Sequence, residues 1–169
     1  TIESSLGTYE YSNKKFLIVD LPGTYSLKAY SKEEDVTTSF IEKSQFDVMV
    51  VVVDATALER NLNLVLQVLQ ITRNVVVCVN LLDEAKKKNI KIDLELLSEK
   101  LGVPVVGTIA TKKKTLEELK IKIGFVAENK IDELVEYGSN EKIVKMSETI
   151  ANEVIDKSVI NLNKDRKID

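Results

Sequence analysis

An α/β fold with a mainly parallel sheet follows from three observations. Val48 to Val53, Val75 to Val79 and Val103 to Val106 are short, β-branched and almost continuously apolar, as expected of strands covered on both faces. Stretches with apolar residues at helical spacing lie between them, so the chain repeats β-α-β units whose right-handed crossovers build a parallel sheet. Asp20, Asp54, Asn80 and Ala110 fall at or just beyond the strand ends, where such sheets collect ligands.

Taken in order, Thr8 to Tyr11 and Lys15 to Val19 are two β-type runs around the polar group Ser12-Asn13-Lys14, which predicts a hairpin at one edge of the sheet. Ser31-Lys32-Glu33-Glu34, Thr56-Ala57-Leu58-Glu59 and Thr115-Leu116-Glu117-Glu118 each fit a capping box and predict a helix after them. In the second, Leu58, Leu62, Val65, Leu66 and Leu69 form an apolar stripe that can lie on a sheet. Leu94 to Leu101 reads as a short helix stopped by Gly102. From about Ala127 the pattern becomes charged helical sequence, with Ile131, Leu134 and Val135, a break at Tyr137 to Asn140, then Ile143, Val144, Ile150, Val154 and Ile155. The polar end, residues 161–169, reads as a linker or juxtamembrane arm.

With 169 residues and 44% hydrophobic content the chain can form one ordinary core. Twenty-four basic against 27 acidic side chains, net −3, provide no basic field, and nucleic acid is not expected as a partner. The one cysteine, Cys78, lies in an apolar strand and can make neither an internal disulfide nor a metal cluster, which points to a reducing compartment. No histidine occurs, so histidine-dependent triads and histidine-ligated zinc are excluded. The longest apolar run, Val48 to Val53, is too short to span a bilayer, so the chain itself is expected to be soluble. It begins at Thr1 rather than Met, and the native protein is expected to extend beyond both ends.

The strand ends carry the chemistry. In Asp20-Leu21-Pro22-Gly23 the carboxylate suits a magnesium ion held through water, and the Gly23 N–H can reach a terminal phosphate oxygen; the plain alternative is a strand ending in a Pro-Gly turn. In Asn80-Leu81-Leu82-Asp83 the amide can brace neighbouring loops and the carboxylate can accept two hydrogen bonds from the N1 and N2 edge of guanine, a donor pair adenine lacks. The alternative is that Asp83 merely caps the next helix. Leu81 stands where Lys is usual and can pack without supplying charge. Thr108-Ile109-Ala110 follows the next strand, with the Ala110 N–H available to guanine O6. Thr1 is a candidate for the threonine that binds magnesium and the γ-phosphate. Each signal is weak alone, but their order along successive strands is that of a P-loop NTPase-like GTP-binding (G) domain. The Gly-rich phosphate loop ending in Lys-Ser or Lys-Thr, and the strand before it, are absent from these 169 residues and are expected upstream. That strand would lie between Phe16 to Val19 and Val48 to Val53, so a chain without it would carry two unpaired inner edges.

Gly7 to Tyr11, Phe16 to Leu27, Val53 to Leu62, Asn80 to Lys88 and Leu101 to Val106 together resemble the cytosolic region of ferrous iron transport protein B, the FeoB family of prokaryotic membrane GTPases. The resemblance covers most of residues 1–125. It implies GTP or GDP and magnesium as ligands, with a monovalent cation as a further candidate, and switch II at Asp20 to Gly23. Guanine is then recognised by Asn80, Leu81 and Asp83 with Thr108, Ile109 and Ala110. Thr24 follows the switch glycine where many GTPases carry a catalytic Gln, so Thr1, Gly23 and Thr24 are the catalytic candidates. The implied organisation is a G domain over 1–126, a helical segment over 127–160 and a linker over 161–169, at the cytoplasmic face of the cell membrane. The implied partners are the protein's own membrane domain, a small accessory protein of the iron-transport system and further copies of the chain. The phosphate loop has no counterpart in these residues, and the helical region between about 138 and 143 is shorter than the family pattern. A non-catalytic G-like interaction module is therefore the alternative. A soluble GTPase of ribosome assembly or tRNA modification is a third reading, disfavoured by the lack of basic surface.

Overall fold

The computed structural model describes residues 5–27, 32–43 and 45–156 and divides at Phe46/Asp47 into two compact units. In the first, β1 (Ser5–Tyr11) and β2 (Lys14–Asp20) pair antiparallel with Tyr11 opposite Lys14, leaving a two-residue turn. Both turn residues have positive φ, 51° at Ser12 and 62° at Asn13, as a type I′ turn requires, and Asn tolerates this at little cost. Tyr9 and Phe16 are directly opposite and stack, with ring centroids 4.8 Å apart. The hairpin forms its own two-stranded sheet rather than an edge of the parallel sheet. Leu6, Leu17 and Ile18 are accordingly left exposed among the described residues.

The loop after β2 leads to α1 (Lys32–Lys43), whose first turn carries Glu33, Glu34 and Asp35 against the positive end of the helix dipole. Ser31, the expected cap of this helix, lies outside the described residues.

In the second unit β3 (Met49–Asp54), β4 (Val75–Asn80) and β6 (Val105–Gly107) form a parallel sheet in the order β3-β4-β6. The expected strands are all present, and the third begins two residues later than the apolar run suggests. Central β4 is buried from Val75 to Val79, whereas Val52 of β3 remains 59% exposed. A 3₁₀ turn (Ala55–Ala57) leads into α2 (Leu58–Leu69), and all five residues of the expected stripe are buried. The capping box does not form there. Asp54 caps the 3₁₀ turn instead, its carboxylate accepting from the Thr56 N–H at 2.8 Å and the Thr56 hydroxyl at 2.7 Å, and no side chain caps α2.

After β4 come α3 (Leu82–Lys87), the short β5 (Lys91–Ile92) and α4 (Leu94–Leu101). Gly102 ends α4 at φ 70°, the left-handed stop expected of it. Asp93 caps its start by accepting from the Leu96 N–H at 3.0 Å. Asp93→Ala is expected to cost about 1 kcal/mol, read as a lower midpoint in urea with unchanged slope.

Helix α5 runs from Lys113 to Glu128, so Thr115 lies inside it and caps nothing. The following stretch, 129–138, is not helical, contrary to the sequence reading. Its backbone is held by side chains from the end of α2 and the turn after it. Asn74 donates to the Ile131 carbonyl at 3.2 Å and accepts from its N–H at 2.8 Å, and the Gln70 carbonyl oxygen accepts from the N–H groups of Tyr137 and Gly138. Ser139 then caps α6 (Asn140–Val154), which packs Ile143, Ser147, Ile150, Ala151 and Val154 inward, mainly against α2 and α4. β7 (Ile155–Asp156) pairs antiparallel with β5. Among the described residues no helix is long and apolar enough to cross a membrane.

Candidate functional site

In the first unit the site residues occupy the end of β2 and the loop beyond it. Asp20 is exposed, and among the described residues its carboxylate has no hydrogen bond or ion pair. The loop is held from α1: the buried Thr37 donates its hydroxyl to the Pro22 carbonyl at 3.2 Å, and Thr38 donates to the Leu27 carbonyl at 3.1 Å. Leu21 and Pro22 are half-buried and Gly23 is exposed. Thr24 closes a local turn, donating to the Ser26 carbonyl at 2.6 Å and accepting from its N–H at 3.3 Å. Its hydroxyl is therefore engaged on Ser26 from both sides. Thr37 and Thr38 were not singled out in the sequence, where only the hydroxyl pair on a helix near a Pro-Gly turn hints at bracing. Thr1 lies outside the described residues.

In the second unit the ends of β4 and β6 bring their site residues together. Parallel pairing of Val79 with Gly107 continues through the Thr108 N–H, which donates to the Val79 carbonyl at 2.8 Å. Asn80 and Thr108 thereby come side by side, and the Thr108 hydroxyl donates to the Asn80 amide oxygen at 3.1 Å. Thr108 is 2% exposed, so this bond is made out of water. Leu81 has φ 63° and ψ 33°, a left-handed conformation unusual for a leucine, and its side chain is left 39% exposed. Its carbonyl accepts the Ala85 N–H at 3.0 Å, beginning α3.

Asp83 is not the cap of α3. The capping position belongs to Leu81, no side chain bonds there, and Asp83 lies in the first turn with an exposed carboxylate unpartnered among the described residues. That removes the capping explanation for this aspartate and leaves both its oxygens as free acceptors. The Ile109 N–H donates to the Thr115 hydroxyl at 3.1 Å, and the Ile109 carbonyl accepts from the Lys112 N–H at 2.8 Å. Ala110, the next residue, is exposed.

Cys78, read from the sequence as core, is 5% exposed and also reaches the site, with its sulfur 3.2 Å from the Thr108 hydroxyl oxygen. The signal was the two-residue alternation that puts Cys78 and Asn80 on one face of β4. Burial pushes the thiol pKa up. Because the unfolded thiol ionises first, the stabilising contribution is complete below the ordinary thiol value of 9.0 and declines as pH rises above it. A charged disulfide reagent at pH 8 is expected to label Cys78 only as fast as the chain opens, with denaturant accelerating labelling; prompt stoichiometric labelling of the folded protein would contradict that burial.

The geometry agrees with comparison to known proteins. A family model described as ferrous iron transport protein B matches residues 1–123. The Fe(2+) transporter FeoB of Campylobacter jejuni is 42% identical over 130 residues, 77% of this chain and 21% of the relative. That of Escherichia coli K12 is 38% identical over 141 residues, 81% and 18% respectively. The chain thus spans about a fifth of the length of these relatives. The solved FeoB G domain from Methanococcus jannaschii superimposes with a TM-score of 0.71 at 44% identity, covering 76% of this chain and 80% of that one. The cytosolic domain of T. maritima FeoB in its GMPPNP form gives 0.85 at 24% identity, covering 92% and 86%, a likeness of fold. The fold is therefore that of a FeoB G domain, and the chain belongs to the ferrous iron transport protein B family.

Proposed function

We propose that this chain is the guanine-nucleotide-binding and GTP-hydrolysing cytoplasmic region of a ferrous iron transporter. The observation that carries the reading is the pairing of an amide braced by its neighbour, Asn80, with an aspartate three residues on whose carboxylate has no structural task. A carboxylate with both oxygens free accepts the N1–H and N2–H of guanine and repels the acceptor N1 of adenine. Ala110 offers its N–H to O6, and Leu81 packs where the usual Lys would lie along the base. The nucleotide-bound forms of the T. maritima domain support the same ligand class.

The exposed Asp20, unpartnered among the described residues and beside a loop pinned by Thr37, fits a magnesium ion held through water, and the exposed Gly23 can offer its N–H to a terminal phosphate. Magnesium would supply charge neutralisation at the phosphates. Thr24 can orient water only if its turn on Ser26 opens, and Thr1 remains the candidate for the magnesium-binding threonine. No described residue is assigned to a monovalent cation. In this reading residues 1–126 act as the G domain, and 127–160 with the linker 161–169 carry its state to the transporter's own membrane domain at the cytoplasmic face. A small accessory protein and further copies of the chain complete the proposed partners, without nucleic acid.

The test is titration with a fluorescent GDP analogue in magnesium buffer against an adenine analogue, using this chain and the same chain extended upstream. Guanine-selective binding by the extended chain supports the reading. Folded proteins that bind neither analogue would replace it with the interaction module.

A further inference from the structure

We propose that Cys78 and Thr108 are positioning residues that orient the Asn80 amide through a chain of hydrogen bonds with a fixed direction. The Thr108 hydroxyl has one hydrogen, and its 3.1 Å bond to the Asn80 amide oxygen uses it. The sulfur 3.2 Å from the same hydroxyl oxygen can then only be the donor, so the order runs from the Cys78 S–H to Thr108 and from Thr108 to Asn80. All three lie on one face of the sheet, because Cys78 and Asn80 are two residues apart on β4 and Thr108 extends β6 beside Asn80.

The consequence lies in which end of the amide is presented. With the thiol donating, Thr108 must give its hydrogen to the Asn80 oxygen, and the Asn80 NH2 group is turned away from it as a free donor. Without that donor, Thr108 can accept from the NH2 instead, and the amide is free to flip, exchanging donor for acceptor where the nucleotide is to be bound. Burial keeps the thiol protonated through the neutral range, so the direction does not reverse there.

The inference rests on the proposed guanine site for its functional half, but the amide orientation is measurable without any nucleotide. The experiment follows the assigned Asn80 side-chain amide signals by NMR in ligand-free chain, then GDP affinity, for Cys78→Val, Cys78→Ser and Thr108→Val. Val replaces Cys at similar size in an apolar strand but cannot donate, whereas Ser donates but is more polar. A packing role alone therefore favours Val over Ser, and the hydrogen-bond chain favours Ser over Val. The expected result is that Cys78→Val and Thr108→Val both shift the Asn80 amide signals and weaken GDP binding about three- to tenfold, the effect of one lost hydrogen bond. Cys78→Ser stays within about twofold of the parent by the same reasoning. Unshifted Asn80 signals in Cys78→Val, or Cys78→Ser displaced as far as Cys78→Val, would overturn the proposal. GDP affinity is read in the chain extended upstream; if that parent binds no nucleotide, it is the guanine site that fails, and the NMR comparison still decides the positioning role.

Discussion

Asp83→Asn is expected to abolish guanine preference and give a protein that takes xanthine nucleotides in its place. The carboxylate accepts from guanine N1–H and N2–H, two charge-assisted bonds each contributing about 1.5–3 kcal/mol. Asparagine presents one acceptor and one donor. Facing guanine it keeps one bond, loses the charge and sets an NH2 against the base's own; facing xanthine, which has a carbonyl at position 2, it matches. A fall of about 10²-fold or more in GDP affinity with a rise for XDP follows from those magnitudes. Folding is expected to be unaffected, because Asp83 is exposed, caps no helix and has no partner among the described residues. Unfolding curves that coincide for parent and variant would confirm that only recognition changed. An unchanged ratio of GDP to XDP affinity would remove Asp83 from the base site.

Much of the fold was legible because the sequence repeats one signal at every level. The strands are β-branched runs with no competing helical spacing, and the α2 stripe at Leu58, Leu62, Val65, Leu66 and Leu69 has no competing alternation; all five are buried. The errors share a cause, which is local signals overruled by a neighbour. Thr56 has the sequence of a helix cap, but Asp54 two residues earlier is a stronger acceptor and turns the threonine into a donor. Ile131, Leu134 and Val135 have helical spacing but remain 46%, 61% and 37% exposed, so no burial sustains a helix. The backbone there is taken by Asn74 and Gln70, 57 or more residues distant in sequence. Similarly, the order of the site motifs was readable along the chain. The Thr108–Asn80 bond was not, since it depends on a register between strands that periodicity alone does not give.

Leu66→Ala is expected to destabilise the second unit strongly, as truncation of a fully buried core leucine does. Leu66 is fully buried, on a helix that packs against both β3 and α6. Removal of its side chain loses the transfer free energy of three carbons and leaves a void that sheet and helices cannot close together, a combined cost of about 2–5 kcal/mol. At this chain length about 1 kcal/mol moves the melting temperature by roughly 2–4 °C, so a fall of roughly 4–20 °C is expected. The loss should be felt beyond α2. Gln70 and Asn74, which hold residues 129–138, lie one and two turns further along the same stretch, and α6 rests on the same helix. Hydrogen exchange should therefore rise in α6 together with α2, while β1 and β2, in the other compact unit, keep their protection. If α6 retained parent protection in Leu66→Ala, α2 and α6 would not form one cooperative unit. The helix would then be anchored mainly through α4 and the β5–β7 pair.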